Sequence, residues 1–173
     1  MSGPASGGQA SAADARRDAL VDRVADYILR EGLDAATLRP LARASGTSDR
    51  MLLYYFPDKQ ALLAAAADRV AARLMALLAT VPATPQPPAA LEAQLTAAAQ
   101  DPAVAPYLAL WLDIAARAAR GDAFWRAQGQ SIGKGFLRFI ADRLALPPED
   151  RPATARALLA RIEGGILLAA FGL

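Results

Sequence analysis

Leu20, Val21, Val24, Ala25 and Ile28 recur at three- and four-residue spacing, while Arg16, Arg17, Asp22, Arg23, Asp26 and Arg30 fall on the other faces. This period predicts an amphipathic helix from Asp14 onward, and Gly32 ends it. Leu38, Leu41 and Ala42 then share a helical face before Ser45-Gly46-Thr47 breaks the run. Ser48 is placed to cap a second short helix reaching about Tyr54. Two short helices joined by so tight a turn cross steeply and make a helix-turn-helix. Gly46 suits that turn because it tolerates positive φ and brings no Cβ to the crossing. The first helix is expected to brace the pair through Leu33, Leu38, Leu41, Leu52 and Phe56.

The ends of these helices carry further signals. Thr37 precedes the first short helix, and because Pro40 has no amide its hydroxyl is expected to bond the amide of Arg39. Pro57 stops the second short helix, and Asp58 is placed to cap the next one, with Lys59 in its first turn. A lysine beside the positive end of a helix is unfavourable, which points to a phosphate partner for Lys59 rather than a purely structural role.

Downstream, a stripe of Leu62, Leu63, Ala66, Val70, Leu74, Leu77 and Leu78 predicts a long helix from Asp58 to about Thr80. It spans ~30 Å at the helical rise, enough to connect two bodies. Val81 to Pro88 holds four prolines and reads as a linker or exposed loop. A short helix over 89–100 follows. Another from Ala103 to Arg120 carries Val104, Tyr107, Leu108, Trp111, Leu112 and Ala115 on one face. Gly121 closes it, and Asp122 is placed to cap a segment running from Ala123 to Leu146. There Gly129, Gly133 and Gly135 mark a kink, a loop between two helices or a close helix crossing. Pro147-Pro148 stops that segment, and Pro152 opens a last helix to Leu173. The second half of this helix is apolar nearly all round, so one core face cannot satisfy it and a partner helix is implied. Gly164 and Gly165 permit the close approach that a dimer seam needs.

Composition narrows the chemistry. Hydrophobic residues make up 54% of the 173, but alanine and leucine dominate and aromatics are only 6%, a balance that favours helix. With neither cysteine nor histidine, the chain lacks disulfides, thiolate or imidazole metal sites and Ser-His or Cys-His nucleophiles. No cofactor is expected. The formal charge of +2 is spread through alternating acids and bases, so any DNA binding must come from placement rather than bulk charge. Met1 to Ala13 lacks the bulky apolar groups that offset ordering entropy and is expected to be a disordered tail. With no signal-peptide pattern and no apolar run long enough to span a bilayer, the expectation is a soluble, cytoplasmic protein without a membrane partner.

The segment from Leu20 to Ala66 resembles the DNA-binding domain of the TetR-type family of bacterial regulators. The resemblance rests on the first helix ending at Glu31-Gly32, the D-A-A-T-L-R segment from Asp34, the A-S-G-T-S turn from Ala44, and Tyr55-Phe56-Pro57-Asp58-Lys59 followed by Gln60-Ala61-Leu62-Leu63. It covers roughly the first third of the chain. Two positions depart from the family pattern: Leu53 stands where a tyrosine is usual, and Asp49 where lysine is frequent. The resemblance implies an all-α fold, with a three-helix DNA-binding domain over 14–60 and a helical effector-binding and dimerisation domain over 61–173. It also implies a homodimer paired through its C-terminal helices on a palindromic double-stranded operator, a small-molecule effector, and a recognition helix that starts at Ser48 and enters the major groove.

Thr37, Ser48, Tyr55 and Lys59 match backbone-contacting positions of that family and would set register. Tyr55 packing beside Phe56 and Lys59 being solvated are the structural alternatives. Arg50, early in the recognition helix, is the candidate for a bidentate contact to guanine, with pairing to Asp49 or Asp58 as its alternative. Tyr54 is a candidate for a base or sugar contact, Leu53 for a thymine methyl, and Asp49 for stabilising the helix start or accepting from cytosine. Tyr107, Trp111, Phe124, Trp125 and Phe136 concentrate the aromatics in one stretch and are the candidates for an effector cavity, against the alternative that they fill a core. Asp113, Arg117, Gln128 and Gln130 are the main polar residues among them, so an apolar or planar effector is expected.

The leading reading is a ligand-responsive repressor. Asp49, Leu53 and the weak basic balance motivate a second, a dimeric helical interaction protein without ordinary operator binding. A third, an all-helical enzyme built on Asp113 and Arg117, is disfavoured because a carboxylate one helical turn from an arginine usually forms an ion pair. The expectation is therefore not an enzyme.

Overall fold

The computed structural model describes residues 6–173, with side chains from Ala12 onward. Among them are eight α-helices: α1 Ser6–Glu31, α2 Leu38–Ala44, α3 Asp49–Tyr55, α4 Lys59–Leu77, α5 Pro88–Ala99, α6 Ala105–Ala119, α7 Ala123–Ala141 and α8 Arg151–Ala170. A single turn of 3-10 helix, Leu78–Thr80, extends α4. The first five positions of the expected N-terminal tail lie outside the described residues. Helix α1 begins at Ser6, ahead of the Asp14 start set by the apolar stripe; Ala10, Ala12 and Ala13 favour helix by propensity alone.

The chain forms two compact units, Met1–Val70 and Ala71–Leu173. The division falls within α4 because the first part of that helix belongs to the N-terminal unit. Arg69 ties it to α1, with guanidinium nitrogens 3.2 Å from Asp18 and 2.6 Å from Asp22. In the N-terminal unit, Leu20, Val21, Val24, Ala25 and Ile28 of α1 are buried as their period predicts. Leu33, Leu41, Leu52 and Phe56 are buried as well, while Leu38 is only half-buried. Gly32 ends α1 at φ +78° and Gly46 makes the α2–α3 turn at φ +64°, the left-handed region that glycine enters without a Cβ penalty.

The core of the C-terminal unit gathers Leu74, Leu78 and Val81 with Leu91 and Leu95 of α5, Phe139 and Ile140 of α7, Leu144, and Ala155 and Leu158 of α8. Two expectations change here, and one set of alternatives narrows. The buried residues of α6 are Leu110 and Ile114, whereas Ala115, placed on the apolar face by the spacing, is exposed. From Tyr107 to Ile114 the helix is apolar on nearly every side, so period alone does not select a face. Helix α7 is continuous through its glycines; a Cβ on Gly129 would lie 3.5 Å from Ile114 and one on Gly133 3.8 Å from Trp111. Of the three alternatives the loop is ruled out, and Gly129 and Gly133 sit where α7 passes close to α6. Finally, α7 ends at Ala141 rather than near Leu146, and Gln86 of the proline-rich segment pairs with the chain beyond it. The Gln86 amide donates to the Arg143 carbonyl and the Ala145 amide donates to the Gln86 carbonyl, each at 2.8 Å.

Candidate nucleic-acid interface

Helix α3 divides its side chains by spacing. Leu52 and Phe56, four residues apart, are fully buried and fix the helix to its unit, whereas Leu53 and Tyr54 are 45% and 76% exposed. Arg50 is exposed on the same outward side, since positions three and four apart share a helical face. The outward face therefore offers a guanidinium, an isobutyl group and a phenol together. Among the described residues Arg50 has no ion-pair partner, so neither alternative partner, Asp49 or Asp58, engages it. Tyr55 is half-buried, and its ring meets that of Tyr54 edge to face at 5.1 Å.

The ends of α3 follow the caps that the residues announce. Ser48 Oγ accepts from the amide of Met51 at 3.2 Å, satisfying one of the open donors of the first turn. At the next helix, Asp58 Oδ1 accepts from the amide of Ala61 at 2.7 Å. Lys59 stands beside it, exposed and without an ion-pair partner among the described residues. Thr37 does not cap as expected: it is the N-cap of α2, but its side chain makes no capping bond. Its own amide is instead held by the carbonyl of Ala35 at 2.8 Å, in an entry turn that Pro40 does not dictate. The Thr37 side chain is thus exposed with its hydroxyl unused.

Two α1 arginines that the spacing placed off the apolar face are engaged within this unit. Arg17 lies over the Phe56 ring at 4.8 Å. Arg23 Nη1 donates to the carbonyl of Ser45 at 2.6 Å. Neither contact was legible beforehand, because each joins residues far apart in the chain.

In the C-terminal unit the five candidate effector residues all lie on α6 and α7. Tyr107 and Phe136 pack as partly buried members against the core that contains Leu74, Leu91 and Phe139. Trp125 is buried and stacks edge to face with half-buried Phe124 at 4.8 Å. Trp111 is half-buried, and its Nε1–H donates to Glu163 Oε1 at 3.0 Å. Burial raises the Glu163 carboxyl above its ordinary range, opposed by the Trp111 bond. Asp113 and Arg117 form an ion pair one turn apart at 2.8 Å. An open groove of about 360 Å³ between α7 and the start of α8 is lined by Leu137, Arg138, Ala141, Pro152, Ala153, Ala155 and Arg156, and by none of the five aromatics.

Towards its end α8 exposes Leu167, Leu168 and, just beyond it, Phe171 and Leu173. A Cβ added at Gly164 or Gly165 of the same helix would meet no other part of the described residues within 4 Å. No helix among the described residues is long and apolar enough to cross a membrane.

Residues 22–66 match the family model for bacterial regulatory proteins of the tetR family. Among solved structures, a protein described as a TetR-family transcriptional regulator from Rhodococcus sp. is 23% identical, with 86% of this chain and 84% of that chain covered, at a TM-score of 0.64. A transcriptional regulator from Rhodococcus sp. Rha1 is 21% identical over 88% of this chain and 82% of its own, at a TM-score of 0.70. These likenesses establish a shared fold along most of the chain. A search of curated proteins found none that matches.

Proposed function

We propose that this chain, whose residues 22–66 match the family model for bacterial regulatory proteins of the tetR family, is a DNA-binding transcriptional regulator and acts as a homodimeric repressor. It would be released from a palindromic operator by a small apolar or planar effector. The observation that carries the reading is the division of α3: Leu52 and Phe56 are spent on the core, which leaves Leu53 and Tyr54 exposed beside Arg50. A helix anchored in this way presents a fixed face to the major groove. Arg50 reads guanine, Leu53 meets a thymine methyl and Tyr54 touches a base or sugar. Thr37, Ser48, Tyr55 and Lys59 hold the phosphate backbone and set register. The Thr37 hydroxyl and the Lys59 ammonium, both without a partner among the described residues, suit that role.

Dimerisation through α8 is supported by Leu167 and Leu168, exposed beside Gly164 and Gly165. An effector held among Tyr107, Trp111, Phe124, Trp125 and Phe136 acts by population shift, favouring a dimer whose two heads no longer match successive grooves. Asp49 and exposed Leu53 favour a second reading, a dimeric interaction protein without ordinary operator binding.

Binding of the purified protein to its own promoter-region DNA across a salt series separates the two. The repressor reading expects one preferred palindromic site, relaxed specificity in Arg50→Ala and a uniform loss in Lys59→Ala, with a shallower salt slope. Absence of any preferred site at low salt would sink it in favour of the interaction protein.

A further inference from the structure

Arg17 and Arg23 lie six residues apart on α1, ~9 Å along its axis, and α3 with its seven residues is ~10.5 Å long. The two arginines reach opposite ends of that short helix. Arg23 donates to the carbonyl of Ser45, in the turn before α3, and Arg17 covers the ring of Phe56, its C-terminal cap residue. Ser45 is fully buried, and no backbone amide among the described residues donates to its carbonyl. A charged donor at 2.6 Å is therefore what satisfies it. The guanidinium also sits directly over the turn, since a Cβ on Gly46 would lie 3.3 Å from Arg23 Nη1.

From this we propose that Arg23 and Arg17 are positioning residues for DNA recognition. Acting from α1, they hold the two ends of the recognition helix and so fix the angle at which Arg50, Leu53 and Tyr54 face the groove. A helix of two turns has too few internal hydrogen bonds to hold its own position. Its orientation comes from what grips its ends, and a small tilt there moves base-reading side chains more than it moves backbone contacts. The arginines act on specificity through geometry, without touching DNA.

The inference rests on the DNA-recognition reading of α3, and two measurements on the full-length protein keep their failures apart. The first needs no DNA: amide hydrogen exchange in wild type, Arg23→Ala, Arg23→Lys and Arg17→Ala. Arg23→Ala is expected to speed exchange about tenfold or more at Thr47 and Leu52, and Arg17→Ala at Phe56, with C-terminal amides such as Ala145 unchanged. Arg23→Lys, which keeps a charged donor, is expected to restore most of the protection. The second is competition between operator and random-sequence DNA at fixed salt. Arg23→Ala is expected to lower the preference for operator about tenfold while random-sequence affinity and its salt slope stay within twofold of wild type. Arg30→Ala, which removes the same charge from the same helix, is expected to change neither.

Unchanged exchange at Thr47 and Leu52 overturns the proposal, even if wild type prefers no DNA sequence. A uniform loss on all DNA with a shallower salt slope also overturns it, in favour of a direct phosphate contact. Altered exchange with an unaltered operator preference overturns the recognition role and leaves only a structural one.

Discussion

The indole of Trp111 donates to the Glu163 carboxylate at 3.0 Å across fifty-two positions of sequence, joining α6 to α8 beside the apolar end of the chain. Burial raises the folded-state pKa of Glu163 despite that bond. A carboxyl whose pKa is higher folded than unfolded holds its proton more tightly in the native state. Its contribution to stability is therefore fully present below the unfolded value and is lost as pH rises through the folded one. Glu163→Gln removes this dependence. Its melting temperature is expected to exceed that of wild type at pH 7 and to lose the advantage as pH falls towards 4.5. Thermal melts of both proteins across that range check it; a constant difference would mean that burial does not control this carboxyl.

Gly46 at φ +64°, with Arg23 Nη1 3.3 Å from where a Cβ would sit, leaves alanine both strained and crowded. Gly46→Ala is expected to destabilise the N-terminal unit by about 1–2 kcal/mol. Denaturant unfolding followed by exchange at Thr47 measures the loss.

Leu52 has no exposed surface and anchors α3 from within. Leu52→Ala leaves a cavity there and is expected to cost about 2–5 kcal/mol, with loss of DNA binding as α3 loosens. Calorimetry and DNA binding on the same sample give both readouts.

Gly135 lies inside α7 with nothing within 4 Å of the position a Cβ would take. Replacement by alanine there improves helix propensity without a clash, and Gly135→Ala is expected to gain about 0.5–1 kcal/mol. A lower melting temperature would show that another surface packs against this position.

The exposed end of α8 supplies a test of the homodimer. Leu168, 51% exposed, lies beyond the Gly164-Gly165 pair. Leu168→Glu places a charge in the proposed seam and is expected to weaken self-association by at least about tenfold. Sedimentation across a concentration series reads the effect, and a wild-type protein that is already monomeric would refute the seam.

By itself the sequence determined what depends on neighbours along the chain. Ser48, Asp58 and Asp122 each cap the helix they precede, and Gly32, Gly46 and Gly121 take positive φ at helix ends. The apolar stripe of α1 is the buried one. Caps, turns and amphipathic faces are settled within a few residues, so residue type and spacing are enough to read them. Where the local pattern was ambiguous, tertiary structure decided. Apolar on all sides, α6 took its inward face from the helices packed against it. Gly129 and Gly133 of α7 mark a close approach only because Ile114 and Trp111 lie opposite them. Thr37 lost its expected capping role to a backbone turn. The contacts of Arg17 with Phe56, Arg23 with Ser45 and Trp111 with Glu163 span from twenty-two to fifty-two positions. A long polar side chain carries no mark of its distant partner, and only the packing of helices in three dimensions brings the two within reach.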